Sequence, residues 1–297
     1  TMISFAECSA RQRLAHLLDA ASFTEWLPPQ DKVCSPHLAA LGVPGAFDDG
    51  VAVGRATLGG HPVLVAAQEG RFMGGGVGEV HGAKLTGLLR RAAVDRPDAV
   101  LLLADSGGVR LHEANAGLLA VSEVMQALID LRFAGIPVLV LIGGTSGCFG
   151  GMGVVAACAD HIIMSDVGRL SMSGPEVIEA ARGIEEFDAR DRALVWRTTG
   201  GKHRWICGDC DELVDDDVSA FRQAALRLLP RRARPLDLAQ LASAQLLLTQ
   251  RHHLMDHSGV NDEAHWLWRS HGVPSPSAVA DWDVAALQAH VARKVAR

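Results

Sequence analysis

The chain has 297 residues, 48% hydrophobic and 21% charged, which suits a globular protein with a sizeable core, as one large domain or one domain with an appendage. A net charge of −6 weighs against nucleic-acid binding, which calls for a concentrated basic face. The six cysteines, at 8, 34, 148, 158, 207 and 210, are too scattered for a disulfide framework. With no signal peptide and no apolar run of membrane-spanning length, the expectation is a cytoplasmic protein without membrane contact.

In chain order, Ser9-Ala-Arg-Gln12 spells a capping box, opening a helix that buries Leu14, Leu17 and Leu18. Trp26 to Gly50 lacks a period and reads as loop. Val51–Thr57 and Pro62–Gln68 flank Gly59-Gly60 and predict a hairpin. The glycine loop Arg71–Gly78 leads into a helix with apolar positions Leu85, Leu88, Leu89 and Ala92. Ala99–Ala104 is a buried strand, followed by the loop Asp105-Ser-Gly-Gly-Val-Arg110 and a helix from about Ala116 to Arg132. Pro137–Ile142 is a second buried strand, followed by the loop Gly143–Gly153 and a short helix of small residues. His161–Met164 is a further strand, Arg169–Met172 a candidate for another, and Gly174 begins a helix. The acidic run Asp209–Asp217 reads as a solvated face, and Val218–Leu229 as an amphipathic helix. A basic break at Pro230–Pro235 divides a domain of residues 1–235 from a helical extension of 236–297. Alternating strands and helices predict an α/β fold with mostly parallel pairing and right-handed crossovers.

Two glycine loops sit where buried strands hand over to helices. Glycine lets the backbone approach a ligand closely and aim its N–H groups, so the pair predicts a site for negative charge on oxygen. The candidate catalytic residues are Gly107, Gly108, Gly147 and Ser146. The alternative is that these glycines only make tight turns. Ser106 belongs to Asp-Ser-Gly-Gly, a spelling shared with trypsin-like proteases, but its setting between strand and helix is wrong for them, and a hydroxyl bonded within its own loop is expected. Arg110 either binds phosphate or carboxylate or pairs with Glu113. Arg71 and Lys84 could meet phosphates, with a solvated charge favoured for Lys84. Cys207-Gly-Asp-Cys210 is a single C-x-x-C and supplies too few ligands for zinc, so no metal is expected. His252, His253 and His257 read as surface.

Three motifs carry a family resemblance. Phe72-Met-Gly-Gly-Gly-Val-Gly-Glu-Val-His-Gly-Ala-Lys84 resembles the glycine loop and helix of acyl-CoA carboxyltransferases. Asp105-Ser-Gly-Gly-Val-Arg110 is similar to their DSGGAR loop, and Arg169–Glu179 to their later I-x-F-A-G-P-x-V-I-E stretch. Within that group the chain looks most like the β subunits of biotin-independent malonate decarboxylases, in length, in its early Trp-bearing loop and in Gly143-Gly-Thr-Ser-Gly-Cys-Phe-Gly-Gly151. There are departures. Cys8 and Cys34 alone cannot form the zinc ribbon of a related subunit, and the family's R-x-Q-E-G becomes Arg110-Leu-His-Glu-Ala114, leaving the role of His112 open.

The resemblance implies a crotonase-like (ClpP/crotonase) fold, a twisted sheet of ββα units with packed helices. It implies a γ partner subunit of the same fold, and a malonyl thioester on an acyl carrier protein, decarboxylated to the acetyl thioester. The cofactor would be a CoA-like prosthetic arm delivered by the carrier rather than bound tightly. Arg71, Gly74, Gly75, Gly76, Ser106, Val109, Arg110 and Gly144 would hold substrate and arm. Losing CO₂ leaves an enolate, and one preformed N–H donor typically lowers such a barrier by on the order of 3 kcal/mol. A biotin-dependent carboxyltransferase β subunit passes through the same enolate and is the alternative, as is a non-catalytic scaffold.

Overall fold

The computed structural model describes residues 2–42, 49–231, 233, 236–256 and 263–291. Helix α1 (Ala10–Leu17) starts at the expected capping box, with Ser9 Oγ accepting from the Gln12 N–H and Gln12 Oε1 from the Ser9 N–H. The region read as loop contains a 3-10 turn at Pro29–Asp31 and two further short elements. Trp26 closes a short strand, β1 (Thr24–Trp26), and Pro36 opens a helix, α2 (Pro36–Ala40), capped by Ser35. Neither is long enough to show a period. Pro44 lies outside the described residues.

Strands β2 (Val51–Leu58) and β3 (His61–Gln68) form the hairpin, with both turn glycines at positive φ. Then follow α3 (Glu79–Asp95), β4 (Ala99–Ala104), α4 (Ala116–Phe133), β5 (Val138–Ile142), α5 (Gly151–Cys158) and β6 (His161–Ser165). The chain continues through α6 (Pro175–Arg182), α7 (Arg192–Thr199), α8 (Gly201–Ile206), β7 (Glu212–Val214), α9 (Val218–Leu228), α10 (Leu238–Asp256), α11 (Glu263–Ser270) and α12 (Val284–His290).

Seven strands make one sheet in sequence order, antiparallel from β1 to β3 and parallel from β3 to β7. The central strands β4, β5 and β6 are buried throughout because both faces are covered. In β4, Val100, Leu102 and Ala104 face the layer of α3, α4 and α5, while Ala99, Leu101 and Leu103 face α1 and α9. Leu267, Trp268, Val284 and Leu287 of α11 and α12 join the first of these two cores. Helix α10 instead leaves Leu238, Leu241, Leu246 and Leu248 exposed, and Arg251 ties it to Asp209 at 2.9 Å.

Beyond the strand ends the chain pairs again, one residue at a time. Val77 bridges Val109, and Ser106 bridges Cys148, which bridges Leu170. These minimal second strands, set between a long strand and its helix, express the ββα pattern of a crotonase-like fold. Arg169–Met172 belongs to this layer and is not a full strand: Leu170 makes one bridge and Arg169 another, to Gly200.

Two surface readings are corrected. Lys84 is buried, with Nζ 2.9 Å from the Asp49 carboxylate and donating to the Leu27 and Val51 carbonyls. A buried ammonium needs such partners, and these come from a stretch without periodic pattern. The acidic run is also engaged. Asp209 meets Arg204 and Arg251, Asp211 accepts from the Ile162 N–H, and Asp216 and Asp217 hold the N-terminal residues Ser4, Ala6 and Ile3.

Candidate active site

The site is built on Asp105, at the end of β4. Its side chain is 2% exposed and lies 2.8 Å from Arg13 Nη1, which is equally buried. The other carboxylate oxygen accepts the Ser146 N–H at 2.8 Å. Burial pushes the Asp105 carboxyl up, against the pull of Arg13 and the Ser146 amide. Its backbone N–H donates to Gln68 Oε1, and Gln68 Nε2 lies 3.0 Å from His81 Nε2. Since His81 Nδ1 faces the Asp49 carbonyl at 3.0 Å, it must carry the proton, and Nε2 accepts from Gln68. Burial holds His81 neutral, with its pKa down at about 3. Sequence reading missed this polar floor of Arg13, Asp49, Gln68, His81 and Asp105. The one signal was the aspartate opening Asp-Ser-Gly-Gly.

Three glycines pack onto Asp105 because nothing larger fits. A Cβ on Gly75 would stand 1.8 Å from the Asp105 carbonyl oxygen, and on Gly144 it would stand 2.1 Å from the carboxylate carbon. Gly70 is similarly close. Gly75 also takes φ +68°, which only glycine adopts cheaply.

The predicted donors lie above this floor, Gly107 exposed, Gly108 and Ser146 half-buried and Gly147 buried, and each N–H already has an acceptor. The Gly107 N–H donates to the Gly74 carbonyl at 2.8 Å. The Gly108 N–H reaches Ser106 Oγ at a long 3.3 Å, and that hydroxyl returns a bond to the Gly108 carbonyl. Ser106 therefore has the role expected of it, bonding within its own loop. The Gly147 N–H turns to the Gly144 carbonyl at 3.2 Å, and Ser146 Oγ donates to the Gly70 carbonyl. The open donors are elsewhere. Gly150 approaches Gly108 so closely that a Cβ on it would meet Gly108 Cα at 3.0 Å, and α5 starts immediately after it. In that first turn the Gly151 and Met152 N–H groups find no acceptor among the described residues. They lie inside the same Gly143–Gly153 loop, a few residues past Ser146 and Gly147.

The residues expected to hold substrate and arm divide. Gly74, Val109 and Arg71 are accessible, with Arg71 Nη2 donating to the Glu7 carbonyl. Gly76 and Arg110 are internal. Arg110 pairs with Glu113 at 3.1 Å, donates Nε to the Gly76 carbonyl and stacks on Phe72. Of its two readings, the ion pair is the one present, and the side chain clamps the first glycine loop. Glu113 in turn accepts the Glu79 N–H that opens α3. His112 is half-buried, and its Nε2 finds no partner among the described residues. Cys207 and Cys210 are buried thiols, with Cys207 pushed up to about 12 by burial. His252 and His253 are exposed, and His257 lies outside the described residues.

A mixed sheet whose parallel strands end in glycine loops, with a helix starting beside them, is a crotonase-like fold. Residues 6–234 match the carboxyl transferase domain family, and the chain belongs to that family. It is 48% identical over 242 residues to a malonyl-S-ACP:biotin-protein carboxyltransferase of Malonomonas rubra, covering 77% of this chain and 76% of the relative. It superposes on a chain of the Pseudomonas malonate decarboxylase hetero-tetramer, solved with malonate, with a TM-score of 0.82 and 40% identity, covering 91% and 97% of the two chains. A Pseudomonas malonate decarboxylase hetero-dimer gives a TM-score of 0.68 and 37% identity, covering 83% and 96%. Among the described residues no helix is long and apolar enough to cross a membrane.

Proposed function

We propose that this chain is the β subunit of a malonate decarboxylase, which removes CO₂ from a malonyl thioester carried on the prosthetic arm of an acyl carrier protein. The observation that carries this reading is the meeting of Gly108 with Gly150 at the open first turn of α5. When the bond between the α-carbon and the carboxylate breaks, its electron pair flows into the thioester carbonyl and its oxygen becomes an enolate anion. The Gly151 and Met152 N–H groups and the positive end of α5 suit that charge. The Gly108 N–H joins them by exchanging its long bond to Ser106 for the substrate oxygen. A proton then reaches the α-carbon and gives the acetyl thioester. The leaving carboxylate supplies the electrons, so the step needs no base.

Leu111, Leu118, Leu119, Met172 and Val177 are exposed on the loops and helices bordering this site. Such an apolar rim supports a partner subunit over the site, as in the hetero-oligomeric relatives. The γ subunit of the same fold is the proposed occupant, and the arm enters with the carrier. The Malonomonas relative, named for transfer to a biotin protein, favours a second reading in which the carboxyl group passes to biotin. The test is CO₂ release from malonyl thioester by this chain assembled with its partner, with and without avidin. Release insensitive to avidin is expected. A strict need for a biotinylated acceptor would establish the second reading, and an inert complete complex would leave the chain a scaffold.

A further inference from the structure

The β5–α5 loop has another face, bordering a cleft of about 740 Å³. Gly144 and Thr145 lie along it, α7 contributes Arg192 and Trp196, and Glu7 and Asp216 stand at its margin. Arg169 sits within it. Its guanidinium carbon is 5.5 Å from the Phe149 ring centroid and 5.0 Å from that of Trp196, and Nη2 donates to the Thr145 carbonyl. Held in this way, its Nε is buried without a hydrogen-bond partner among the described residues. Arg192 stacks on the same indole, at 5.2 Å.

Two guanidinium groups therefore share one aromatic ring. Among the described residues neither has a carboxylate in ion-pair range. Four acids lie nearby: Asp216 is occupied by Ser4 Oγ and the Ala6 N–H, Asp105 by Arg13 and the Ser146 N–H, Glu7 is exposed, and exposed Glu176 attracts Arg169 from beyond ion-pair range. Like charges brought together, one of them half-buried and short of a partner, are unfavourable unless an anion joins them. Planar donors fixed by stacking are suited to an oxyanion, which they can grip with two parallel bonds.

We propose that Arg169 and Arg192, on Trp196, form a subsite for a carboxylate or phosphate group. Its place on the loop that also leads to α5 makes the anion a part of the substrate, and that attribution rests on the decarboxylase reading. Two parts qualify by chemistry: the free carboxylate of the malonyl group and a phosphate of the prosthetic arm. Binding of the anion itself does not depend on turnover.

The test titrates malonate and inorganic phosphate separately into the full chain, following tryptophan fluorescence, with Trp196→Phe identifying the responding ring. Saturable quenching by at least one anion is expected. Malonate alone would assign the carboxylate, and phosphate alone the arm. Arg169→Gln should weaken binding about tenfold, the loss of one charge-assisted contact. Arg192→Gln, at an exposed position, should weaken it about threefold and carries the test if Arg169→Gln fails to fold. In the assembled complex Arg192→Gln should raise KM for malonyl thioester while kcat holds. Absence of saturable binding by either anion, or binding unchanged in both folded variants, overturns the proposal. A complex inactive with every thioester, in a chain that still binds the anion through Arg169, would sink the decarboxylase reading and leave the subsite standing.

Discussion

Asp105 and Arg13 are each 2% exposed and meet across 92 positions of sequence, so each depends on the other for its charge. Arg13→Met leaves a carboxylate in the core with only one amide donor. The expected destabilisation is about 3–5 kcal/mol, read by urea unfolding, and Arg13→Met with Asp105→Asn should recover part of it. The glycines divide in the same way between support and chemistry. Gly75→Ala drives a methyl against the Asp105 backbone and should cost more than about 4 kcal/mol or prevent folding. Gly108 has φ +140° with open space around it. Gly108→Ala should fold, at a strain cost of about 1–3 kcal/mol. It should nevertheless lower turnover of the assembled complex on the order of 10², because the amide beside Gly150 is misaimed. Full activity of a folded Gly108→Ala complex would remove that amide from the chemistry.

Elements are tied together by polar side chains at their ends. Asp19, just past α1, accepts from the Gly59 and Gly60 N–H groups of the β2–β3 turn, from Thr57 Oγ1, and from Arg222 of α9. The Arg222 contact and these donors hold its carboxyl well below its ordinary 3.8. A depressed folded pKa stabilises above the unfolded value and loses that contribution as pH falls through the folded one. Asp19→Asn should therefore cost about 2 kcal/mol at neutral pH, and the gap to the parent should close below pH 3.8. Unfolding curves at both pH values check this. α5 shows the opposite economy. Its first turn is left without a side-chain cap, which costs stability and leaves its amides open to a ligand.

Across the whole molecule, His203 of α8 joins the family domain to α11, since Trp268 Nε1 donates to His203 Nδ1 at 3.1 Å. Burial lowers His203 from 6.5 to about 3, and His81 likewise. Both stay neutral in the fold but take up a proton on unfolding below 6.5, so the unfolded chain binds more protons. Stability should thus rise with pH between about 3 and 6.5, by roughly 1.4 kcal/mol per pH unit for each histidine. His203→Gln should remove one such contribution from the slope of stability against pH. An unchanged slope would show His203 to titrate in the folded protein.

What the chain alone determined is local. β4 and β5 are continuous apolar runs, the Ser9 capping box and the Gly59-Gly60 turn are spelled in neighbouring residues, and the glycine loops follow the strands directly. Each of these depends on residues a few positions apart, which a linear reading can weigh. The tertiary structure decided which amides are free and which charges are buried. Lys84 takes its partner from Asp49, Asp105 from Arg13, and the acidic run from Ser4, Ala6 and Arg251. The Gly107 amide is occupied by a carbonyl of the preceding glycine loop, so the open donors lie at α5 instead. Hydrogen bonds and ion pairs are satisfied across space, and a glycine motif records that the backbone comes close without recording what it comes close to.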